Sequence, residues 1–391
     1  MRKVFTFFLA LVTVAVVADE PSPVQIGKLY YTLNTSSSTA EVVAKPSGKY
    51  TGDIEIPASV EYESETFSVT SIGARAFSEC FDLTSVTLPN SVRQVGIHAF
   101  FNCPNLANVV ANDKVFAHLP MDYSGSYTIP EGIQTIAASA IYKCDNLVSI
   151  TVPKSVTSMG RSPFRHCAKL TAINVASDNT VYCSINGVMF SKDKKTLVAF
   201  PSGKKGSYSV PNGVEVLALT AFIETNIETV NLPNSLITIE ESAFFTCEKI
   251  KRITIPNSVT SIGGYTFGYC SALEEVVIGS GVKSIGVYAF YTCSALKSIT
   301  CKAVDPPTCP DEYVFKHTAN DACLYVPQES ISSYRKATGW NVFKNNTYPM
   351  EEAIDHVTNN ATSASRKLIR NGQILIERNG KLYNVAGAVV E

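Results

Sequence analysis

LEEVVIGSGVKSIGVYAF, residues 273–290, is one copy of a unit that recurs along most of the 391-residue chain. Its pattern, L-x-x-V-x-L-P-x-S-V-x-x-I-G-x-x-A-F-x-x-C, repeats every 23 residues where the units are complete. The leading position is held by Leu83, Leu106, Leu147, Leu170, Ile250, Leu273 and Leu296. The closing position is Cys80, Cys103, Cys144, Cys167, Cys247, Cys270 and Cys293. A fixed period with its apolar positions in phase marks a solenoid, because one unit cannot bury its apolar face without a neighbour. The expected fold is mainly β, a solenoid of about 23-residue repeats with β caps and β-hairpin insertions.

Within the unit, L-x-x-V-x-L sets apolar residues two apart, as in Val86 and Leu88 or Ile253 and Ile255. That is strand periodicity with alternate residues facing a core. Pro89, Pro153, Pro233 and Pro256 follow and end the strand, since proline cannot donate to a ladder. Ser258, Val259 and Ile262 belong to a second short extended stretch. Gly73, Gly96, Gly160, Gly263 and Gly286 mark a column needing either positive φ or close backbone approach. The A-F-x-x-C turn is expected to bury Phe77, Phe100, Phe164, Phe222, Phe244, Phe267 and Phe290 as one continuous stack. Equivalent cysteines point the same way in successive coils, so the column reads as buried thiols packed like small hydrophobes. The off-column Cys301, Cys309 and Cys323 are the ones that could pair.

Working outward, residues 65–301 form the array, with β-hairpins expected near 111–128 and 179–209. These two interruptions share a motif, GSYTIP at 125–130 and GSYSVP at 206–211. Asn186-Gly187 is a hairpin turn signal. Residues 19–64 carry short β-branched and aromatic runs and read as a β-rich cap over the first coil. Residues 302–348, with a strand near Leu324 and a short helix in ESISSYRKA (329–337), read as the cap at the other end. Residues 349–366 are a polar linker, and 367–391 a small β-hairpin module with Asn371-Gly372 and Asn379-Gly380 turns. Residues 1–18, MRKVFTFFLALVTVAVVA, have the layout of a secretory signal peptide, too short in their apolar run to span a bilayer comfortably. No cysteine precedes Cys80, which excludes a lipoprotein linkage after such a leader.

Formal net charge is −1, and loss of Arg2 and Lys3 with the leader would lower it by two. No block of Lys or Arg is long enough to track phosphates, so nucleic acid is not an expected partner. The sequence lacks G-x-S-x-G, H-E-x-x-H, G-x-x-x-x-G-K-[ST] and D-x-D-x-D-G motifs. His166 beside Cys167 would need to meet it in space to act as a thiol–imidazole pair, and neighbours along a chain diverge. No catalytic residue, metal site or cofactor is expected.

Binding candidates come from geometry. Residues flanking the V of V-x-L point away from the core: Ser85 and Thr87, Asn108 and Val110, Ser149 and Thr151, Ala172 and Asn174, and Thr229 and Asn231. The ribbon continues through Arg252 and Thr254, Glu275 and Val277, and Ser298 and Thr300, with Arg252 and Glu275 placed to pair. A hydroxyl ladder can equally satisfy itself. The second set is aromatic, with Tyr265 and Tyr288 in one column and Tyr269, Tyr291, Phe245 and Phe101 in related ones. Such rings suit protein or sugar contacts, or simply stack between coils.

The repeat resembles the BspA-like class of leucine-rich repeats over roughly residues 65–300. The cap, the GSYxIP segments and the Y-V-P, helix, G-W ending are similar to parts of such proteins. The resemblance implies a right-handed leucine-rich-repeat solenoid with a strand in each coil. It also implies a secreted or cell-surface protein without catalysis, of the type mucosal anaerobic bacteria use to adhere to host extracellular-matrix or mucosal proteins or to other bacterial surface proteins. A glycan-binding module for polysaccharide capture and a purely structural surface element are the alternatives. The tail from Lys367 resembles the short β-modules ending many exported proteins of the same bacteria, some of which are sorting signals.

Overall fold

Every complete unit builds one coil with two extended stretches and one tight turn, and the coils stack into a β-solenoid of about 12 turns. The computed structural model describes residues 22–352, together with the strands Arg366–Arg370, Gln373–Arg378 and Lys381–Asn384. L-x-x-V-x-L forms the main ladder, in parallel register one unit apart: Arg252 pairs with Glu275 and Glu275 with Ser298. Interior positions such as Val86, Ile150 and Val276 are buried, while their sequence neighbours face outward. The second stretch forms a shorter parallel ladder through Thr196–Ala199, Val216–Leu217, Thr238–Ile239, Ser261–Ile262 and Ser284–Ile285. The leading-column residues Leu83 to Leu296 and all seven cysteines of the closing column are buried.

The expected insertions prove to be coils in part. Gly-Ser-Tyr-Thr of 125–128 lies in Ser124–Thr128, which pairs in parallel with Asn146–Val152 in the main ladder. Gly206–Ser209 pairs the same way with Ile227–Asn231. Val115–His118 and Thr196–Ala199 pair with the second-ladder strands that follow them. These segments therefore extend the solenoid as shortened coils that lack the A-F-x-x-C turn. The expected hairpins are present beside them: Val110–Ala111 pairs antiparallel with Val115–His118, Tyr182–Ile185 with Val188–Ser191 across Asn186-Gly187, and Val188–Ser191 with Thr196–Ala199. Asn186 and Gly187 take φ of 51° and 77°, the left-handed pair that a two-residue hairpin turn requires.

That hairpin divides the interior. Val188 and Phe190 belong to the core that continues to Phe343, whereas Met189 packs into the core that begins at Leu29. All three are fully buried, so one strand is a wall with an apolar face toward each half.

The phenylalanine column is two stacks, not the single one expected. Phe77 and Phe100 stack at 5.2 Å, and Phe200, Phe222, Phe244, Phe267, Phe290 and Phe315 form a second series at 4.8–5.2 Å. Between them the shortened coil brings His118 toward Phe100, at 6.2 Å, and Ile141 occupies the next turn beside Phe164.

The glycine column is explained by close approach and not by positive φ. A Cβ on Gly286 would lie 2.3 Å from the Gly264 nitrogen, and on Gly96 2.4 Å from the Ala74 nitrogen. Each of these glycines sits 23 residues after its counterpart in the coil below. Where that spacing is shorter, Ala137, Ala218 and Glu240 occupy the column.

At the N-terminal end, Val24–Ile26, Leu29–Asn34, Thr39–Val43, Glu65–Ile72 and Ser59–Tyr62 form a sheet over the core, continuous with the second ladder through Gln94–Val95. At the other end, Cys323–Val326 and Thr347–Pro349 prolong the main ladder. The helix expected in 329–337 is a 3₁₀ turn, Gln328–Ser330, running into Ile331–Tyr334. Trp340 is fully buried there and donates to the Pro307 carbonyl at 2.8 Å. The tail strands form a three-stranded antiparallel meander. Residues 1–18 lie outside the described residues, as does most of 349–366. No helix among the described residues is long and apolar enough to cross a membrane.

Candidate interaction surfaces

On the main ladder, Arg252, Thr254, Glu275, Val277, Ser298 and Thr300 form an in-register outward patch of three coils. Arg252 Nε lies 3.4 Å from Glu275 Oε2, the pairing expected from sequence, and Arg252 is well exposed. Such a pair adds less than about 1 kcal/mol. Elsewhere the ribbon partly satisfies itself: Ser149 Oγ donates to Ser126 Oγ at 2.8 Å, and Asn231 Nδ2 to Ser209 Oγ at 3.1 Å. Two expected members leave it. Val110 is fully buried, because the shortened coil after it turns that strand inward to pair with His118. Asn108 uses its side-chain amide on the Val86 backbone, accepting from its N–H at 3.1 Å and donating to its carbonyl at 2.8 Å. It ends the local ladder.

The turn face carries the aromatic set. Residues before Ala of the A-F turn and before its Cys adopt left-handed backbone: Arg75, His98, Ser139, Ser162, Thr220, Ser242, Tyr265 and Tyr288 in one column, and Glu79, Asn102, Lys143, His166, Glu224, Thr246, Tyr269 and Thr292 in the other. Tyr265 stacks on Tyr288 at 4.9 Å, and Tyr288 on Tyr313 at 5.7 Å. Tyr291 meets Tyr269 and His317 edge-on at 5.5 and 5.3 Å, while Phe245 closes on Tyr265 and Tyr269. Lys316 Nζ lies 4.4 Å from the Tyr313 ring centre. The rings are half-buried and Tyr269 is 42% exposed. The sequence reading missed Tyr313 and His317, since the repeat pattern breaks at Pro306-Pro307; the column spacing from Tyr288 was their only signal. Along each coil the turn lies between the second-ladder strand and the next main-ladder strand, so the ridge and the Arg252–Thr300 patch belong to different sides of the coil.

A third cluster spans the divided core. Arg165 Nη2 and Nε approach Glu224 Oε1 at 2.6 and 2.9 Å, and His166 Nε2 reaches the same oxygen at 3.0 Å. Burial pushes the Glu224 carboxyl up, but the hydrogen bonds from His166 and Arg165 outweigh it and hold it below the usual range. Arg161 pairs with Glu241. His98 Nδ1 lies 3.1 Å from Ser139 Oγ, and burial, with nearby Arg165, Arg75 and Arg161, lowers its pKa. These contacts join residues 41 to 80 apart in sequence, because the missing turns of the shortened coils let distant turns meet.

His166 and Cys167 diverge as expected. The Cys167 thiol donates to the Ile141 carbonyl at 3.6 Å, while His166 faces Glu224. The column thiols have a common role: Cys103, Cys247, Cys270 and Cys293 each donate to the phenylalanine carbonyl of the coil below at 2.9–3.2 Å. Burial pushes Cys103, Cys247 and Cys293 up to about 12, so they are not nucleophiles at neutral pH. All eleven cysteines are free, Cys301, Cys309 and Cys323 among them. No group of three or more His, Cys, Asp or Glu among the described residues could hold a metal ion.

Residues 58–118, 114–207 and 199–320 match the BspA type Leucine rich repeat region, in six copies. The chain belongs to the BspA-type leucine-rich-repeat family. A leucine-rich repeat protein from Eubacterium ventriosum shares 22% identity with this BspA-type chain, covering 77% of it and 82% of that structure, with a TM-score of 0.57. A leucine rich cell surface protein from Faecalibacterium prausnitzii shares 22% identity over 82% of this chain and 98% of that one, at a TM-score of 0.49. The pneumococcal vaccine antigen PcpA shares 20% over 84% and 97%, at 0.48. The first of these likenesses supports the solenoid fold. No curated protein matches the chain in sequence. Repeat solenoids present extended surfaces for binding, so membership carries a protein-interaction role as its coarse functional content.

Proposed function

We propose that the chain is an exported or cell-surface adhesin that binds a host matrix or mucosal protein, or another bacterial surface protein, through the Tyr265–Tyr288–Tyr313 ridge. The observation that carries this reading is the placement of tyrosines at left-handed turn positions, with φ of 53° at Tyr265 and 57° at Tyr288. Left-handed backbone is costly for a side-chain-bearing residue, and bulky ones fit it worst. Ser139, Ser162, Thr220 and Ser242 fill the same column in other coils, so the turn itself has no need of a ring. Stacking returns about 0.5–1.5 kcal/mol per pair. A continuous half-buried aromatic ridge suits the buried centre of a protein interface, where tyrosine is enriched.

Export rests on the leader-like residues 1–18. The protein reading is favoured over polysaccharide capture because the three stacked rings cover one another's faces, whereas a sugar ring docks on a face. A purely structural element would show no saturable ligand. The test is solid-phase binding: the immobilised chain should retain matrix or mucosal proteins saturably. Hits confined to a glycan array, or no saturable binding at all, would refute the reading.

A further inference from the structure

A second surface lies at the opposite end of the molecule and is independent of the tyrosine ridge. The main ladder begins with Gly52–Glu55, which among the described residues pairs only with Leu83–Thr87. Gly52 and Ile56 donate across that pairing, to the Asp82 and Thr87 carbonyls. The alternate residues, Asp53 and Glu55, therefore turn their backbone groups to the other side, where no strand among the described residues is hydrogen-bonded. A cavity of about 850 Å³ lies along this edge. One wall is the Gly27-Lys28 turn and the strand after it, with Leu29 and Tyr31; another is Ser59 and Val60. Asp53 and Glu55 project on one face beside Ser85 and Thr87, and the Asp53 carboxylate accepts from Ser85 and Thr84 hydroxyls at 2.6 and 2.7 Å. Ile54 points the other way, into the core. Among the described residues Lys28 is the single cation lining the cavity, against two carboxylates.

We propose that this open edge takes an extended peptide segment of a partner protein, added as a strand and carrying Lys or Arg at alternate positions. Strand addition satisfies the outward backbone groups of Asp53 and Glu55, and a period of two sorts the guest's side chains. Cationic residues fall beside Asp53 and Glu55, and apolar ones fall on the side of Ile54, Leu29 and Val60. Charge on an edge strand deters uncharged and acidic chains from pairing, and here it selects for cationic ones. The edge is thus guarded against self-association and open to a basic partner.

The test is fluorescence anisotropy on the full chain with three labelled peptides. One alternates lysine and valine, one alternates glutamate and valine, and one is the lysine peptide N-methylated at every second residue. The lysine peptide should bind, with the other two weaker by about tenfold or more. The double variant Asp53→Asn/Glu55→Gln should weaken the lysine peptide about tenfold while leaving the thermal midpoint and retention by the tyrosine ridge unchanged. Equal binding of the N-methylated peptide would overturn strand addition. Unchanged binding by the double variant would overturn the charge selection. A dimer of the chain that the lysine peptide dissociates would give the edge to a second copy and overturn the proposal as well.

Discussion

His118 shows how much one substitution in a repeat column can cost. It occupies the place where the phenylalanine stack pauses, wholly buried, with Nε2 lacking a partner among the described residues. Burial lowers its pKa to about 4 from 6.5. Between those values the unfolded chain binds a proton that the folded chain does not, so stability falls as pH drops from about 6.5 to about 4, by about 3 kcal/mol in total. His118→Phe should remove that part of the slope and can stack on Phe100; thermal midpoints at pH 7 and pH 4.5 would measure it. At Gly286, by contrast, the spacing of 23 residues from Gly263 leaves no room for a Cβ. Gly286→Ala should cost about 1–3 kcal/mol in chemical denaturation, and Ala218→Gly, above a shortened coil, about 1 kcal/mol or less. The glycine column itself was legible in the sequence. Which of its two physical reasons applied was not, because both reasons select the same residue.

The repeated turn is the element that holds coil to coil, by two devices: a stacked phenylalanine and a cysteine thiol bonded to the carbonyl of the coil below. Phe267 touches rings on both sides at 5.2 Å, so Phe267→Ala should destabilise by about 3–5 kcal/mol, read as a fall in denaturation midpoint. The thiols should react slowly with a disulfide reagent in the native state, and eleven should titrate after denaturation without reductant. The strand pattern, the proline stops and the Asn186-Gly187 hairpin were readable from periodicity and turn chemistry. The shortened coils were not. GSYTIP and GSYSVP announced themselves as a repeated motif, but a segment that keeps the ladder residues and drops the turn loses the markers by which a coil is recognised.

At the scale of the molecule, the solenoid is two cores with the strand Val188–Ser191 between them, and Arg165, His166 and Glu224 bridging them on the turn face. These partners lie 59 and 58 positions apart, outside the repeat, so no periodicity could have found them. Glu224→Gln should lower stability by about 2–3 kcal/mol and separate the unfolding of the halves into two calorimetric transitions. Because its pKa is depressed in the fold, the stabilisation from Glu224 is present above the ordinary carboxylate range and lost as pH falls through its folded value. Tyr265 and Tyr288 were visible as a column, yet their joining with Tyr313 and His317 into one ridge depends on the cap that follows the last repeat. That ridge is the centre of the functional account. Its most direct test is saturation binding of a retained matrix or mucosal protein to the chain and to the double variant Tyr265→Ser/Tyr288→Ser, with both melting curves recorded. The double variant should lose at least tenfold in affinity with a thermal midpoint little changed, since serine already serves this column in other coils. Undiminished affinity in a folded variant would contradict it.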